Sequence, residues 1–439
     1  MTVLPRLRTE IQIDVHQEDG QDFLILSDTF GIAEGPIMIN AEMVDILEAC
    51  DGATTVEELA ATAEVQPDGP EMLRLLAFLG QLTEMGYMEG HAAEQRALAA
   101  THEFVSASIR QPVCAGSTYP AEADELHKLL DEMLKSDEAH ATDTNSIAAT
   151  GNAGLVIIPH IDFRVAPTVY GPCFNAIRNT TADLFVMIGT SHYWGQHQFI
   201  LTTKDFATPI GTVHTDVPLV NEIRERLTAI DAMHPQALHP MIAPNDLAHK
   251  PEHSLELHTV FLQHMFGRHG HTVASDNPPF AADGHAVIGD GRPFTILPIL
   301  VSGLQQYFAH EGALEGALHE AVQAIRNVVV ESGRKAVWIV SGDMAHFGAR
   351  FGDEAPASDM FEEVREADST LLRHLSAAQP GAFYNAVREA DDNYRICGLA
   401  PSYVALTAVQ PSPGEVVAYE VWDDADTSSA VSFAGLAFP

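Results

Sequence analysis

The chain has 439 residues, of which 46% are hydrophobic and 19% charged, a composition typical of globular and not of disordered proteins. Lysine and arginine number 23 against 61 aspartates and glutamates, a formal net charge of -38 that argues against nucleic acid and anionic membrane surfaces as partners. The sequence has no apolar run of about 18–20 residues and only four scattered cysteines, so we expect a cytoplasmic protein of two or three domains without disulfides.

Residues 8–92 have the pattern of a small, separate domain. Apolar residues alternate over residues 11–15 and return at 23–26 after Asp19 and Gly20, which predicts a β-hairpin. Three helices are expected after the hairpin, at residues 42–50, 56–64 and 72–88.

The helical part of this domain carries the string ILEACDGATTVEELAA, residues 46–61, which resembles the PqqD-like winged-helix domains that recognise peptides. The resemblance implies that a peptide pairs with a sheet edge through main-chain hydrogen bonds, and we expect that edge near residues 23–27. A winged-helix module used only for packing or dimerisation has the same pattern and remains an alternative. Residues 93–110 are predicted to form a helical connector.

The remainder of the chain, residues 111–439, alternates buried strands with helices. Four short runs are almost wholly apolar: GLVIIPH, LFVMIGTSH, FTILPILVSG and AVWIVSGDMAH. Strands that are apolar on both faces belong to sheets covered on both sides. With helices expected at 219–230, 313–332, 360–377 and 401–408, and two paired strands near the C-terminus, the pattern predicts an α/β sandwich with a mixed sheet.

Polar residues follow three of these predicted strands. His160 follows the first strand and His192 the second, while Asp343 and His346 follow a later one. Because ligand sites in open α/β sheets lie beyond the carboxyl ends of the strands, these side chains are expected to converge. A single histidine at a strand end is more often a packing or capping residue, but three in equivalent positions indicate a site.

Two further segments carry candidate site residues. Glu252 and His253 lie in the segment KPEHSLELH, where Glu256 follows Glu252 by four residues and would share a helix face with it. Either this segment is only a helix start, or His253 is part of a pocket wall. Cys397 precedes a predicted helix, where a lowered thiol pKa would make it a good thiolate ligand.

The chain resembles the Memo family in eight segments, which occur in the same order as in the family. These segments are VCAGSTYPAEADELHKLL, GLVIIPHIDF, LFVMIGTSHYWG, ATPIGTVHTD, PEHSLELHTVFLQ, FTILPILVSG, VSGDMAHFG and RICGLAPSYVAL. The resemblance implies an α/β/α sandwich with a mixed central sheet, related in fold to class III extradiol dioxygenases and preceded here by the small winged-helix-like α+β domain.

The resemblance also implies functional residues. His160, His192 and Cys397 would be the ligands of one mononuclear metal ion, Fe(II) before Cu or Zn. His346 would be an acid/base supported by Asp343, and Glu252 and His253 would line the pocket.

The sequence departs from the family pattern at two positions. Asp162 introduces a carboxylate two residues after His160, where it would either orient that histidine or face solvent. Ala345 replaces the Cys or Ser of relatives, a change we expect to affect only packing.

Three functions are compatible with these residues. The first is an iron-dependent redox enzyme acting on a small aromatic or peptide-borne substrate. The second is a non-catalytic metal-binding or scaffold protein that works with radical-SAM and AMMECR-type partner proteins, as the family setting implies. The third is a zinc hydrolase built on the same site.

Overall fold

The chain forms two units. The computed structural model describes residues 3–18, 20–62, 65–135, 146–193, 196–267, 294–310 and 312–439. Contacts between Cα atoms divide the chain into Met1–Ala107 and Ser108–Pro439. The predicted connector, residues 93–110, contains most of the helix that ends the first unit and a two-residue strand that begins the second.

The first unit combines a three-stranded antiparallel sheet with helices. Its elements are β1 (Ile11–Glu18), β2 (Gln21–Asp28), β3 (Ile37–Asn40), a 3-10 turn (Ala41–Met43), α1 (Val44–Ala49), α2 (Val56–Thr62), α3 (Pro70–Glu84) and α4 (His91–Ser106). The predicted hairpin and helices are therefore present, apart from residues 19, 63 and 64, which lie outside the described residues. Leu26 of β2 packs with Met72 and Leu82 of α3 in a separate small core.

The strand order of this sheet contradicts the predicted position of the peptide edge. Strand β2 lies in the middle: Leu24 is paired with Val15 of β1 and also with Ile39 of β3. Main-chain groups of a central strand already have partners on both sides, so the expected edge at residues 23–27 is wrong. The edges of this sheet are β1 and β3.

The second unit is built on a large mixed sheet. Its strands are β4 (Ile109–Arg110), β5 (Leu155–Ile158), β6 (Leu184–Thr190), β7 (Phe199–Leu201), β8 (Asp205–Thr208), β9 (Gly211–Val213), β10 (Thr295–Val301), β11 (Ala336–Ser341), β12 (His346–Gly348), β13 (Glu415–Asp424) and β14 (Ser429–Phe438). Eight of them form one sheet in the order β12-β14-β5-β11-β6-β10-β7, with β13 paired to β14. Strands β5, β11, β6 and β10 are parallel, whereas β7 and β14 run antiparallel to their neighbours.

Helices cover both faces of this sheet. They are α5 (Ala123–Lys135), α6 (Ile147–Thr150), α7 (Pro167–Asn175), α8 (Val217–Met233), α9 (Glu256–Gly267), α10 (Ala317–Glu331), α11 (Phe361–Ser376), α12 (Pro380–Glu389) and α13 (Leu399–Val409). Short 3-10 turns lie at Leu247–His249, Gln305–Tyr307, Ala313–Glu315, Ala349–Phe351, Ala357–Asp359 and Ala425–Thr427. Alternate residues of β5 enter different cores, Ile157 packing with Val220 of α8 and Ile158 with Phe261 of α9. The predicted α/β/α sandwich with a mixed sheet is therefore confirmed.

The parallel strands bring the candidate site residues to one edge of the sheet. Strands β5, β6 and β11 end at Ile158, Thr190 and Ser341, which are aligned in the parallel register within a residue or two. His160, His192 and Asp343 each follow one of these ends within two residues. Side chains that are far apart in the sequence thus meet at the carboxyl edge of the sheet.

Candidate metal centre

His160 is buried, with one ring nitrogen occupied by a protein partner. Its Nδ1 lies 3.0 Å from Ser341 Oγ at the end of β11, and that hydroxyl donates to the Ser254 carbonyl at 2.5 Å. The hydroxyl hydrogen is used, so Ser341 Oγ accepts from Nδ1–H. Burial, and neighbouring histidines after it, lower the pKa of His160 well below its usual value. The ring is therefore neutral and keeps the lone pair on Nε2.

His192 is oriented by Glu252. Glu252 Oε1 lies 2.9 Å from His192 Nδ1, and Oε2 accepts the backbone N–H of the same residue at 2.8 Å. Burial raises the pKa of Glu252, but the hydrogen bond from His192 and the nearby histidines lower it more, to about 2. An anionic Glu252 requires hydrogen on Nδ1, which leaves Nε2 of His192 as the available ligand atom.

Cys397 is the third member of the group. Its Sγ lies 3.3 Å from His160 Nε2 and accepts the backbone N–H of Asp343 at 3.1 Å. Burial, followed by the Asp343 carboxylate, raises the pKa of the Cys397 thiol well above its usual value. Without a cation the thiol therefore keeps its proton, contrary to the lowered pKa expected from the sequence, and a metal ion would have to displace that proton.

Two glycines allow Cys397 to approach the end of β11. A Cβ on Gly342 would lie 2.3 Å from the Cα of Gly398, and a Cβ on Gly398 would lie 2.8 Å from the Asp343 carbonyl oxygen. The Gly398 N–H donates to this carbonyl at 2.9 Å. Any side chain at either glycine would push Cys397 away from His160, so the close backbone contact maintains the group.

The donor atoms of His160, His192 and Cys397 converge. One ligand atom from each residue lies within 4.8 Å of the other two. Two imidazole nitrogens and one sulfur suit iron, copper or zinc, and three protein ligands leave coordination positions open. Two neighbouring groups in the described part of the chain meet the same distance limit; they are His192 with Glu252 and His253, and Asp343 with His346 and Cys397.

Asp343 and His346 lie beside this group, and each has a backbone hydrogen-bond partner. Asp343 Oδ1 accepts the backbone N–H of His160 at 2.9 Å, and burial raises the pKa of Asp343 to about 7. His346 Nδ1 lies 3.1 Å from the Arg395 carbonyl, and burial lowers the pKa of His346 to about 4. The Arg395 carbonyl orients the His346 ring, and no hydrogen bond joins the side chains of Asp343 and His346. The acid/base role of His346 with support from Asp343 stays a prediction.

His253 packs against both histidines of the group. Its ring stacks on that of His192 at a centroid distance of 4.8 Å and meets the ring of His160 edge-on at 5.1 Å. Burial lowers the pKa of His253 to about 4, with Glu252 opposing the shift. His253 is thus a neutral pocket-wall residue, as one of the two interpretations of its segment predicted.

Glu252 and Glu256 have different surroundings. Helix α9 begins at Glu256, so Glu252 precedes the helix and the predicted shared helix face is wrong. Glu256 instead forms a buried ion pair with Arg110 at 2.5 Å, while the other guanidinium nitrogen of Arg110 donates to the Glu252 carbonyl at 2.5 Å. The two carboxylates therefore have different roles. Glu252 orients His192, and Glu256 holds Arg110 in contact with the Glu252 carbonyl.

Several supporting residues were not identified from the sequence. Ser341, Ser254 and Arg110 hold the site residues, and the Thr190 hydroxyl donates to the Cys397 carbonyl at 2.7 Å. Ser341 and Thr190 are polar residues at the ends of buried strands, and this position in the sequence could have identified them as site residues. Asp162, by contrast, pairs with Arg164 and not with His160, and Ala345 is fully buried in the core.

An open cavity of about 310 Å³ lies next to these residues. Its lining includes His160, His253, Asp343 and His346, together with Arg350, Phe351 and Trp422. The volume is near the lower end of the range of roughly 300–1,000 Å³ found for ligand pockets. A small molecule that enters this cavity would therefore contact His160 together with Asp343 and His346.

An α/β/α domain with two histidines and one cysteine at the carboxyl edge of its sheet defines a candidate mononuclear metal protein. A family model described as Memo-like protein matches residues 110–437, and the chain belongs to this family. A MEMO1 family protein of Aquifex aeolicus is 24% identical over 428 residues, covering 95% of this chain and 96% of the relative. The match includes most of the first unit.

Archaeal relatives match mainly the second unit. A MEMO1 family protein of Archaeoglobus fulgidus is 26% identical over 333 residues, or 75% of this chain and 99% of the relative. One from Methanosarcina acetivorans is 25% identical over 307 residues, or 70% of this chain and 88% of the relative. Among the described residues, no helix combines the length and apolar character needed to cross a membrane.

Proposed function

We propose that the second unit is a metal-dependent redox enzyme that holds one Fe(II) ion with His160, His192 and Cys397. The observation that carries this proposal is the state of the two imidazoles. Ser341 and Glu252 occupy their Nδ1 atoms, so that each ring offers Nε2 to the space shared with Cys397 Sγ. Partners of this kind fix both the tautomer and the ring orientation of a metal-binding histidine.

The donor set supports iron before the other metals. Two histidines and an anionic third ligand resemble the facial arrangement of non-haem Fe(II) oxygenases, although a thiolate also suits copper and zinc. When bound, the metal would supply redox chemistry and open positions for small ligands. The substrate class that fits the cavity is a small aromatic or peptide-borne molecule.

The protein's own groups can move protons beside the metal ligands. A pKa of about 7 allows Asp343 to exist in both protonation states near neutral pH. His346 and His253 have pKa values of about 4 and are neutral bases at that pH. All three line the cavity, so a proton could pass between a bound substrate and these side chains.

The proposal is tested on protein purified without oxygen. Metal content is measured first, followed by oxygen consumption after addition of catechols. Bound iron together with oxygen uptake that is lost in His192→Ala supports a redox enzyme. Stoichiometric metal without any turnover would instead favour a non-catalytic metal-binding protein, and zinc with esterase or peptidase activity would favour a hydrolase.

We also propose that the first unit binds a peptide, at β3 and not at β2. Strand β3 is an edge of the sheet and borders an apolar groove of about 550 Å³. The groove is lined by side chains of β3 and α3 together with nearby residues, among them Ile39, Met43, Leu75 and Phe78. An open edge offers main-chain pairing and the groove accepts apolar side chains, which together suit an extended peptide delivered to or from a partner such as a radical-SAM or AMMECR-type protein.

A further inference from the structure

One wall of the cavity beside the candidate metal centre is formed by three neighbouring strands. His346 of β12 is paired with Val431 of β14, and Val431 is paired on its other side with Trp422 of β13. Directly opposed residues of antiparallel strands point to the same face. His346, Val431 and Trp422 therefore form a row that begins near Cys397 and Asp343 and extends away from them, and all three line the cavity.

The 3-10 turn that follows β12 adds an aromatic and a cationic side chain to this wall. The Phe351 ring meets the His346 ring edge-on at a centroid distance of 5.2 Å. The backbone N–H of Arg350 donates to Ser429 Oγ at 2.8 Å, which anchors the turn to β14. The Arg350 side chain lines the cavity and is exposed to solvent.

Arg350 differs from the other arginines near the cavity. Arg164 pairs with Asp162, and Arg395 with Asp353 at 2.8 Å. Within the described ranges, the guanidinium of Arg350 contacts no carboxylate, no carbonyl and no aromatic ring face. In a chain with 61 acidic and 23 basic residues, an arginine left without a carboxylate beside a cavity is available to an anion from outside the protein.

The other charged groups of the cavity favour a ligand with its anionic end at Arg350. Asp162 is already paired with Arg164, so its charge is offset. Asp343 lies next to His160, whose backbone N–H its Oδ1 accepts. A carboxylate placed near Asp343 would face a second acidic group, whereas one placed at Arg350 would gain a guanidinium partner and keep the ring of the ligand beside Phe351 and Trp422.

We propose that the substrate of this site is a small aromatic carboxylic acid whose carboxylate binds Arg350 and whose ring lies against Trp422 and Phe351, with its reacting end toward His160. The inference rests on the proposed function, because it assumes that the cavity holds the substrate of the metal centre. Arg350 is then a specificity-determining residue, while the metal ligands act on the far end of the molecule.

The test compares two catechols that differ in one charge. Binding of 3,4-dihydroxyphenylacetate and of 4-methylcatechol to the Fe(II)-loaded full-length protein is measured by anaerobic calorimetry. We expect the acid to bind about five- to tenfold more tightly than the neutral catechol. Arg350→Gln should remove this difference without changing the affinity for 4-methylcatechol, Arg350→Lys should restore part of it, and the exposed-site control Arg373→Gln should leave it intact.

Other results would overturn the proposal. These are equal affinity of the wild-type protein for both probes, no binding of either probe, or an Arg350→Gln variant that weakens both probes alike. Failure of the proposed redox function is distinguishable, because it would appear as absent oxygen uptake while the charge-dependent binding persists. Trp422→Ala should weaken both probes similarly, since both carry the same ring.

Discussion

Glu252 holds His192 at two points, accepting the backbone N–H at 2.8 Å with Oε2 and facing the ring Nδ1 at 2.9 Å with Oε1. The same residue is tied to the fold through its carbonyl, which accepts from Arg110 at 2.5 Å. His192 follows its strand at an exposed position, where the His253 ring covers one face of its ring and Glu252 fixes its Nδ1. The position of one candidate ligand therefore depends on a residue 60 positions away in the sequence.

The first prediction concerns the three candidate ligands. His160→Ala, His192→Ala and Cys397→Ala should each remove most of the bound metal while the protein stays folded, because residues beyond strand ends contribute little to the core. Cys50→Ala, which removes a buried thiol in the other unit, is the matched control and should retain metal. Metal analysis and circular dichroism provide the measurements. Full metal content in Cys397→Ala would exclude this cysteine from the site.

The second prediction concerns Glu252. Glu252→Gln replaces the anionic acceptor of His192 with a weaker, neutral one, so we expect metal affinity to fall by about 10–100-fold. The exposed Glu362→Gln on α11 serves as the control. Competition with a chelator of known affinity measures the change. Unchanged affinity in Glu252→Gln would show that the orientation of His192 does not limit metal binding.

The third prediction separates proton transfer from metal binding. His346→Gln should keep the metal but lose whatever reaction is found, because the ring is a neutral base in the cavity and has its Nδ1 on the Arg395 carbonyl. A loss of about 100-fold or more in rate is expected for a general acid/base. Metal content and turnover are measured on the same sample. If the metal is lost as well, His346 belongs among the ligands.

The fourth prediction is a pH dependence of metal binding. Since burial raises the pKa of the Cys397 thiol, the thiol is protonated at neutral pH and must release its proton when a metal binds. Affinity should therefore rise with pH, by about tenfold per unit for one released proton between roughly pH 6 and 8. Calorimetry in two buffers of different ionisation enthalpy counts the protons. A wild-type protein that releases no proton when it binds the metal would contradict this prediction.

The fifth prediction concerns peptide binding by the first unit. Peptides selected from a phage-displayed library against the full-length chain should be extended and apolar. Leu75→Glu should lower the affinity of the protein for these peptides by at least about tenfold, because a charge in the groove is costly to bury. Leu73 lies on the same helix, but its side chain is 59% exposed and outside the groove. The Leu73→Glu variant should therefore bind the selected peptides with normal affinity. Equal effects of both substitutions, or failure to select any peptide, would favour a packing or dimerisation module.

The sequence by itself was sufficient to predict features that depend on short stretches of chain. Apolar runs such as the one before His160 indicated strands buried on both faces, and the sheet has them. Polar residues directly after such runs indicated a shared edge, because parallel strands necessarily place their carboxyl ends together. His160, His192 and Asp343 could therefore be placed in one region without any knowledge of the packing.

Only the tertiary structure decided which groups contact the site residues. Ser341 lies 181 positions from His160, and Arg110 lies 142 positions from the Glu252 carbonyl it holds, so no local pattern could reveal either contact. The Arg395 carbonyl, and not Asp343, orients His346 for the same reason. The strand order could not be read from the sequence either. The apolar pattern of β2 suits an edge strand as well as a central one, and its pairing with β3 makes it central. Strand formation follows from local periodicity, whereas the partner of each side chain is set by how distant segments pack.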